Sequence, residues 1–373
     1  MKVLIQFEKN PLLFRDPVGI ISCYDPGRLR ECFDEIEKAL SAGYFVAGFL
    51  SYEAGYCFED GLRDEKHYDF PLAYMGVYQP PQRRPPSGPK TRTAQRPRLR
   101  SLRLNISRDD YFKNIAAIRD HIAKGDVYQI TYCIKFLFDF QGEPLTLYNR
   151  LLREQPVPYP AYLESDRFHI LSLSPEMFIK KKGEFAATKP MKGTWPRGRH
   201  FFSDLGRRAA FQYDKKNRAE NVMIADLLRN DLGRVGMQIR APKLFEVAGY
   251  KKLFQMTSTV TGKIEKDISL YRLFSSLFPS GSVTGAPKIR AMEIIRELEL
   301  EERRIYTGAI GYICPNKDLF FNIPIRTLLI DRGKAEMGIG GGIVWDSTPL
   351  GEWNEGLLKA KFLTDLAAEK ALF

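Results

Sequence analysis

The stretch 127-VYQITYCIKFLF-138 decides the fold class. Tyr128, Ile130, Tyr132, Ile134, Phe136 and Phe138 fall on one side of an extended chain, and Gln129, Thr131, Cys133 and Lys135 on the other. That period of two belongs to a β-strand whose faces meet different surroundings. Just upstream, Ser107-Arg108-Asp109-Asp110 has the form of a helix start. Tyr111, Ile115, Ile118 and Ile122 follow at helical spacing, and Gly125 is a stop. Further helices are expected near 216–229, 268–278, 287–299 and 352–370. Strands are expected near 160–173, 176–189, 306–314, 318–331 and 334–345. Many strands without regular strand–helix–strand alternation predict an α+β fold of large, mainly antiparallel sheets flanked by helices. No internal repeat is found.

Toward the N-terminus, Pro26–Leu40 reads as a helix with an apolar stripe of Leu29, Cys32, Phe33, Ile36 and Leu40. Gly43 caps it and a strand follows over Tyr44–Tyr52. Between this front segment and the rest lies 79-QPPQRRPPSGPKTRTAQRPRLR-100, with seven basic residues, six prolines and no acid. No aromatic is interleaved for base stacking, so a polyproline-like linker kept soluble by charge is a better reading than a phosphate-binding arm. Without these residues the net charge of +12 falls to an ordinary +5, and nucleic acid is not expected as a partner. The expected organisation is an N-terminal segment (1–78) packing onto a main domain (101–373), joined by the 79–100 linker.

With 44% hydrophobic and 27% charged residues in 373, the chain is soluble and globular in character. No apolar run reaches the roughly 18–20 residues of a membrane span. The opening MKVLIQFEKN leaves no room for a signal peptide's apolar region. Five scattered cysteines without a CxxC pair argue against a disulfide framework and for a reducing, cytoplasmic setting.

Most familiar motifs fail. Gly281-Ser-Val-Thr-Gly285-Ala-Pro-Lys288 lacks phosphate-loop spacing, and Gly338-Ile-Gly340-Gly341-Gly342-Ile343 has Ile where a dinucleotide fingerprint needs Gly. The four histidines have no metal spacing, and no serine sits in a nucleophile elbow. What remains is carboxylate chemistry. Glu352 and Glu355 share one helix face, with Lys359 four residues beyond, and Glu220 opens another amphipathic helix. Taken alone, each reads more readily as part of a solvated helix face with an ion pair; the functional reading is a ligand for Mg²⁺, which takes one or two carboxylates and several waters. Spacing alone does not bring Glu220 and Glu355 together.

Nine blocks now run in a recognisable order. They are 125-GDVYQI-130, 174-SPEMF-178, 189-KPMKGTWPRG-198, 220-ENVMIADLLRNDLGRV-235, 280-SGSVTGAPKIRAME-293, 306-YTGAIGY-312, 323-IPIRT-327, 338-GIGGGIVWDS-347 and 352-EWNEGLLKA-360. From about Asn105 onward the chain resembles the chorismate-utilising family of anthranilate, aminodeoxychorismate and isochorismate synthases. The front stretch 45-FVAGFLSYEAGYCFE-59 is also similar to the aminodeoxychorismate branch. The resemblance implies a two-lobed sandwich of large antiparallel sheets with the site in a cleft between them.

It also implies roles. Lys192, in Pro190-Met191-Lys192-Gly193-Thr194, stands where most family members have Ala and aminodeoxychorismate synthases have Lys. That branch uses it as an amine nucleophile at C2 of chorismate before ammonia attacks C4. Glu176 matches the general acid for the departing C4 hydroxyl. Glu220 and Glu355 match Mg²⁺ ligands, with Glu352 in support. Tyr306 and Arg326 match residues for the enolpyruvyl carboxylate, and Gly340 and Gly342 offer backbone N–H groups to a carboxylate. Thr194, Thr284, Gly285 and Lys288 are further substrate-binding candidates. Gln129 stands where water-adding members place a Lys base. The expected activity is Mg²⁺-dependent amination of chorismate to 4-amino-4-deoxychorismate, toward p-aminobenzoate and folate. A separate glutamine amidotransferase (component II) supplies ammonia, since no such module is recognisable in the chain. The alternatives are an anthranilate or isochorismate synthase, or a non-enzymatic basic binding protein. Three residues depart from the family pattern: Gln255 for a common His, Asn217 for a common acid, and Trp195 for a common Arg.

Overall fold

The alternating stretch becomes the strand Gln129–Gln141 in a computed structural model that describes residues 1–83, 97–198, 200–249 and 253–368. Among the described residues the strands form two antiparallel sheets, of nine and ten strands. The first sheet runs, in order of neighbours, through Gly285–Ala286, Gln129–Gln141, Lys334–Ile343, Thr327–Asp331, Phe168–Ser174, Tyr159–Glu164, Lys2–Ile5 and Leu12–Phe14. The second runs through Met191–Pro196, Leu253–Ile264, Phe185–Lys189, Met177–Lys182, Leu319–Asn322, Ala309–Ile313, Phe45–Leu50, Ala73–Tyr78 and Gly19–Cys23. Arg98–Leu104 and Gly236–Gly249 pair outside these paths. The antiparallel α+β class expected from the sequence is the one observed.

Alternation puts one face of each sheet against the other. Val3, Ile5, Ala161, Leu163 and Ile170 of the first meet Ala47, Phe49, Met177, Ile310 and Phe320 of the second in one buried cluster. Each larger side chain so buried contributes about 1.5–3 kcal/mol. The outer faces are covered by helices. Leu29–Ser41, Lys215–Gly233 and Leu270–Leu277 lie on the second sheet. Arg108–Ala123, Pro144–Glu154, Lys288–Leu298 and Pro349–Ala368 lie on the first. The expected start at Ser107 is real, since its hydroxyl accepts from the Asp110 N–H. Gly43 takes φ 87° after the first helix.

Several boundaries differ from the sequence reading, each for a local reason. The 160–173 strand is a hairpin turned at Ser165, whose hydroxyl accepts from the Arg167 and Phe168 N–H groups. The 176–189 strand turns at Gly183 (φ 57°). The 318–331 strand breaks before Arg326, which adopts φ 53°. The organisation is corrected too. Residues 1–78 supply two strands to the first sheet and three to the second, so they are woven into the sandwich rather than packed onto it. The linker is shorter than expected. Arg98–Leu104 is already a strand against Gln129–Gln141, because Leu99, Leu102 and Leu104 reach the core. At its other end Gln82 exchanges backbone hydrogen bonds with Leu13. Residues 84–96 lie outside the described residues, as does the end of the expected 352–370 helix.

Candidate active site

Where the two sheets meet at one end, the first presents a face without side chains. Along Lys334–Ile343, Gly338, Gly340 and Gly342 point the same way, as alternation requires. A Cβ on Gly338 would strike the Tyr306 ring at 2.2 Å, and one on Gly340 would meet the Cys133 Sγ at 2.8 Å. A Cβ on Gly342 would lie 2.6 Å from Gln129 Nε2 and 3.1 Å from Lys192 Nζ. The glycines therefore leave a strip of bare backbone, faced by a tyrosine, an amide and a lysine.

Lys192 reaches this strip from the second sheet. The strand Met191–Pro196 pairs with Leu253–Ile264, and the register slips between Lys192 and Thr194. Gly193 sits in the slip at φ 82°, and a Cβ there would collide with Asn217 Oδ1 at 2.3 Å. The Lys-Gly pair is thus a bulge that re-aims Lys192, and it needs glycine. Packing around its ammonium pushes the Lys192 pKa below the usual lysine range, against the pull of Glu220 and Glu176; Lys359 pushes the same way as burial. Thr194 pairs through its backbone with Gln255.

Glu176 lies between the sheets and is only 2% exposed. Its Oε1 accepts from Ser282 Oγ at 2.6 Å and from the Met191 N–H at 3.3 Å. Burial pushes its pKa up to about 7, outweighing Ser282, Lys192 and the Met191 N–H. A carboxyl that still holds a proton near neutrality is suited to general-acid work.

The other acids gather over Gly341. The point where its Cβ would stand is 3.0 Å from Glu352 Oε2 and 4.0 Å from Glu355 Oε1. Ser347 Oγ donates to Glu352 at 2.6 Å. Lys359 pairs with Glu355 at 2.8 Å and donates to the Gly340 carbonyl at 2.7 Å. Lys359 holds the Glu355 carboxyl below its usual range, while burial raises Glu352 and Glu220. Glu220, on the Lys215–Gly233 helix, is close enough to feel Glu355, Lys192 and Lys359. Among the described residues no group of three or more His, Cys, Asp or Glu side chains is placed to hold a metal ion by itself. Glu352 and Glu355, from one helix, face Gly341, and Glu220 is near enough to feel Glu355; such oxygen donors are the type that a hard cation keeping most of its waters takes.

The remaining candidates separate. Tyr306 is buried with its hydroxyl beside the Cys133 thiol, and burial raises its pKa well above the usual range. Arg326 lies in the loop before Thr327–Asp331, its carbonyl accepting from the Leu173 N–H. Thr284 donates to the Ser280 carbonyl, and its own carbonyl takes the Thr131 N–H at 2.6 Å. Gly285 pairs with Ile130. Both hold the Gln129 strand in place rather than present a free group. Lys288 is engaged in a buried ion pair. Its Nζ is bound to Asp231 at 2.6 Å, a pair 11% and 4% exposed, and it faces the Ser276 and Leu277 carbonyls.

The departures from the family pattern also find places. Asn217 donates to Asp214, the cap of its helix, and lies against Gly193, so it serves the bulge. Trp195 packs against Phe211, the ring centroids 5.4 Å apart and the planes tilted by 39°, beside a small cluster with Val247, Phe254 and Met256. Gln255 and Gln129 are both fully buried, and among the described residues neither carboxamide has a hydrogen-bond partner. Ser282, the partner of Glu176, was not singled out from the sequence although it lies inside a quoted block. Arg303, whose buried guanidinium pairs with Glu299 four residues earlier and donates to the Val283 and Thr131 carbonyls, was not singled out either.

A family model described as "chorismate binding enzyme" matches residues 20–365. Aminodeoxychorismate synthase component 1 of Bacillus subtilis is 38% identical over 257 residues, 68% of this chain and 55% of that protein. Anthranilate synthase component 1 of Pseudomonas aeruginosa is 36% identical over 264 residues, covering 70% and 54%. A probable chloroplastic aminodeoxychorismate synthase of Oryza sativa is 40% identical over 270 residues, covering 70% and 30%. The matched stretch thus spans about half the length of the bacterial relatives and under a third of the plant one. Among solved structures, anthranilate synthase component I from Streptococcus pneumoniae superposes with a TM-score of 0.82 at 24% identity, covering 97% of this chain and 92% of that one.

Proposed function

The chain belongs to the chorismate-binding enzyme family, and from that premise we propose that it aminates chorismate to 4-amino-4-deoxychorismate. One observation carries the choice within the family. A lysine, desolvated and flanked by Glu176 and Glu220, stands with its Nζ against the bare face of Gly342. An unperturbed lysine of pKa about 10.4 is almost wholly protonated at neutral pH. The lowered pKa of Lys192 raises the fraction of free amine that can attack carbon.

In this reading the free amine of Lys192 adds at C2 of chorismate. Both ring double bonds shift, C1=C2 to C1=C6 and C5=C6 to C4=C5, the C4–O bond breaks, and the Glu176 proton leaves with the hydroxyl as water. Ammonia then attacks C4, both double bonds return, and the C2–N bond breaks to restore the lysine. Glu176, now ionised, takes a proton released from the incoming nitrogen. Gln129 supports an amine route over water addition, because a carboxamide cannot deprotonate water. Tyr306 and Arg326 would hold the enolpyruvyl carboxylate, Arg by its two-pronged donor geometry. Glu220 and Glu355, helped by Glu352, would hold Mg²⁺, which supplies positive charge for the ring carboxylate.

Ammonia is taken to come from a glutamine amidotransferase partner. Among the described residues no helix is long and apolar enough to cross a membrane. The five cysteines are free thiols, which suits a reducing cytoplasm. The test is the purified chain with chorismate, Mg²⁺ and an ammonium salt, with product identified by mass and ultraviolet spectrum. 4-Amino-4-deoxychorismate is expected with ammonium and not with glutamine. Anthranilate or isochorismate as the product would overturn the reading.

A further inference from the structure

We propose that Glu53 is a positioning residue for substrate binding, acting through the 303–307 turn to set Tyr306; this rests on the chorismate reading above. Glu53 lies on the short Tyr52–Phe58 helix, far from the cleft in sequence, and is 3% exposed. Its Oε1 accepts the Arg303 N–H at 2.7 Å and its Oε2 the Arg304 N–H at 3.0 Å. Tyr52 closes the contact, its N–H donating to the Arg304 carbonyl at 2.8 Å and its ring lying 4.3 Å from the Arg303 guanidinium.

That carboxylate holds a turn that is otherwise unfavourable. Arg304 and Thr307, on either side of Tyr306, both adopt left-handed backbone conformations, at φ 56° and 61°. Such conformations in non-glycine residues persist when the surroundings over-determine them. Downstream, the Thr307 N–H is held by the Pro324 carbonyl at 3.1 Å. Upstream, Glu53 is the acceptor for two successive backbone donors that burial would otherwise orphan. The turn places the Tyr306 ring over Gly338 and its hydroxyl beside Cys133, at the end of the glycine strip. Arg303 anchors the same turn to the cleft. Its guanidinium donates to the Thr131 carbonyl at 2.6 Å and to the Val283 carbonyl at 2.8 Å. Val283 adjoins Ser282, the partner of Glu176.

In Glu53→Gln one oxygen still accepts, but the new amide turns an N–H toward another N–H and the turn loses a fixed end. The experiment measures KM and kcat for chorismate with ammonium in wild type, Glu53→Gln, Tyr306→Phe and the double variant. Glu53→Gln should raise KM about tenfold with kcat within about threefold, as loss of a binding contact does. In the Tyr306→Phe background it should add less than about twofold, because the group it positions is gone. An unchanged KM, a loss confined to kcat, or KM effects that multiply across the cycle would overturn the proposal. If Glu53→Gln does not fold, Glu53→Asp, which keeps both oxygens, carries the same test. Failure of both to fold would make Glu53 a requirement of the fold alone and also overturn it. A wild type that neither binds nor turns over chorismate would remove the functional reading first, an outcome visible before any variant is compared.

Discussion

Replacing Glu176 by Gln should separate stability from catalysis, and its sign depends on pH. In the folded protein this carboxyl is raised from 4.5 to about 7, chiefly by burial. Between those values the folded state holds a proton that the unfolded chain releases. The group's contribution to stability is therefore present below 4.5 and is lost as pH rises through 7. Gln does not titrate, and its oxygen can still accept from Ser282 and the Met191 N–H. Integrating between pH 5 and pH 8.5, the variant should gain about 2–3 kcal/mol on the wild type. Urea unfolding followed by circular dichroism at pH 5, 7 and 8.5 measures that gap directly. Over the same range turnover should be down by about 10²–10³, since no proton is available for the leaving hydroxyl. A gap that stays flat with pH, or shrinks as pH rises, would refute the buried-acid reasoning, and near-normal turnover would refute the acid role.

Three further outcomes follow from the same geometry. Gly342→Ala puts a Cβ 2.6 Å from Gln129 Nε2 and 3.1 Å from Lys192 Nζ; turnover should fall about 10²-fold or more with an intact fold, checked by steady-state kinetics and circular dichroism. Lys288→Met strands Asp231, which is 4% exposed, and should destabilise by about 3–5 kcal/mol in urea titrations with turnover per folded molecule retained. Chelation by EDTA, or Glu355→Gln, should remove most activity with little change in unfolding midpoint, and full activity in either would contradict the proposed metal site.

The sequence carried the fold class well because alternation and helical spacing are local signals. The stretch around Gln129 and the helix capped by Ser107 appear as read. Turns without strong punctuation were missed: Ser165 splits a hairpin through its own hydroxyl, and Arg326 breaks a strand by taking a left-handed conformation. Interleaving of the front segment was invisible, since strand pairing across long separations leaves no local mark. Within the site, Lys192 lies against Gly342, while Glu352 and Glu355 lie against Gly341, whose side-chain position alternates to the other face of the same strand. The anionic context of Lys288 was not legible, because Asp231 lies far from it in sequence. The bonds of Glu53 to the Arg303 and Arg304 N–H groups, and of Arg303 to the Thr131 carbonyl, escaped because no side-chain pattern encodes a distant backbone partner.

Covalent capture at Lys192 tests the central claim most directly. Wild-type protein is mixed with chorismate and Mg²⁺ in the absence of ammonia, quenched, digested and read by mass spectrometry. The peptide holding Lys192 should gain the mass of chorismate less one water. Lys192→Ala should show no adduct and lose 4-amino-4-deoxychorismate formation by about 10²-fold or more. An unmodified peptide, together with a Lys192→Ala variant that still makes this product at a near-normal rate, would contradict the covalent route and leave Lys192 an electrostatic neighbour.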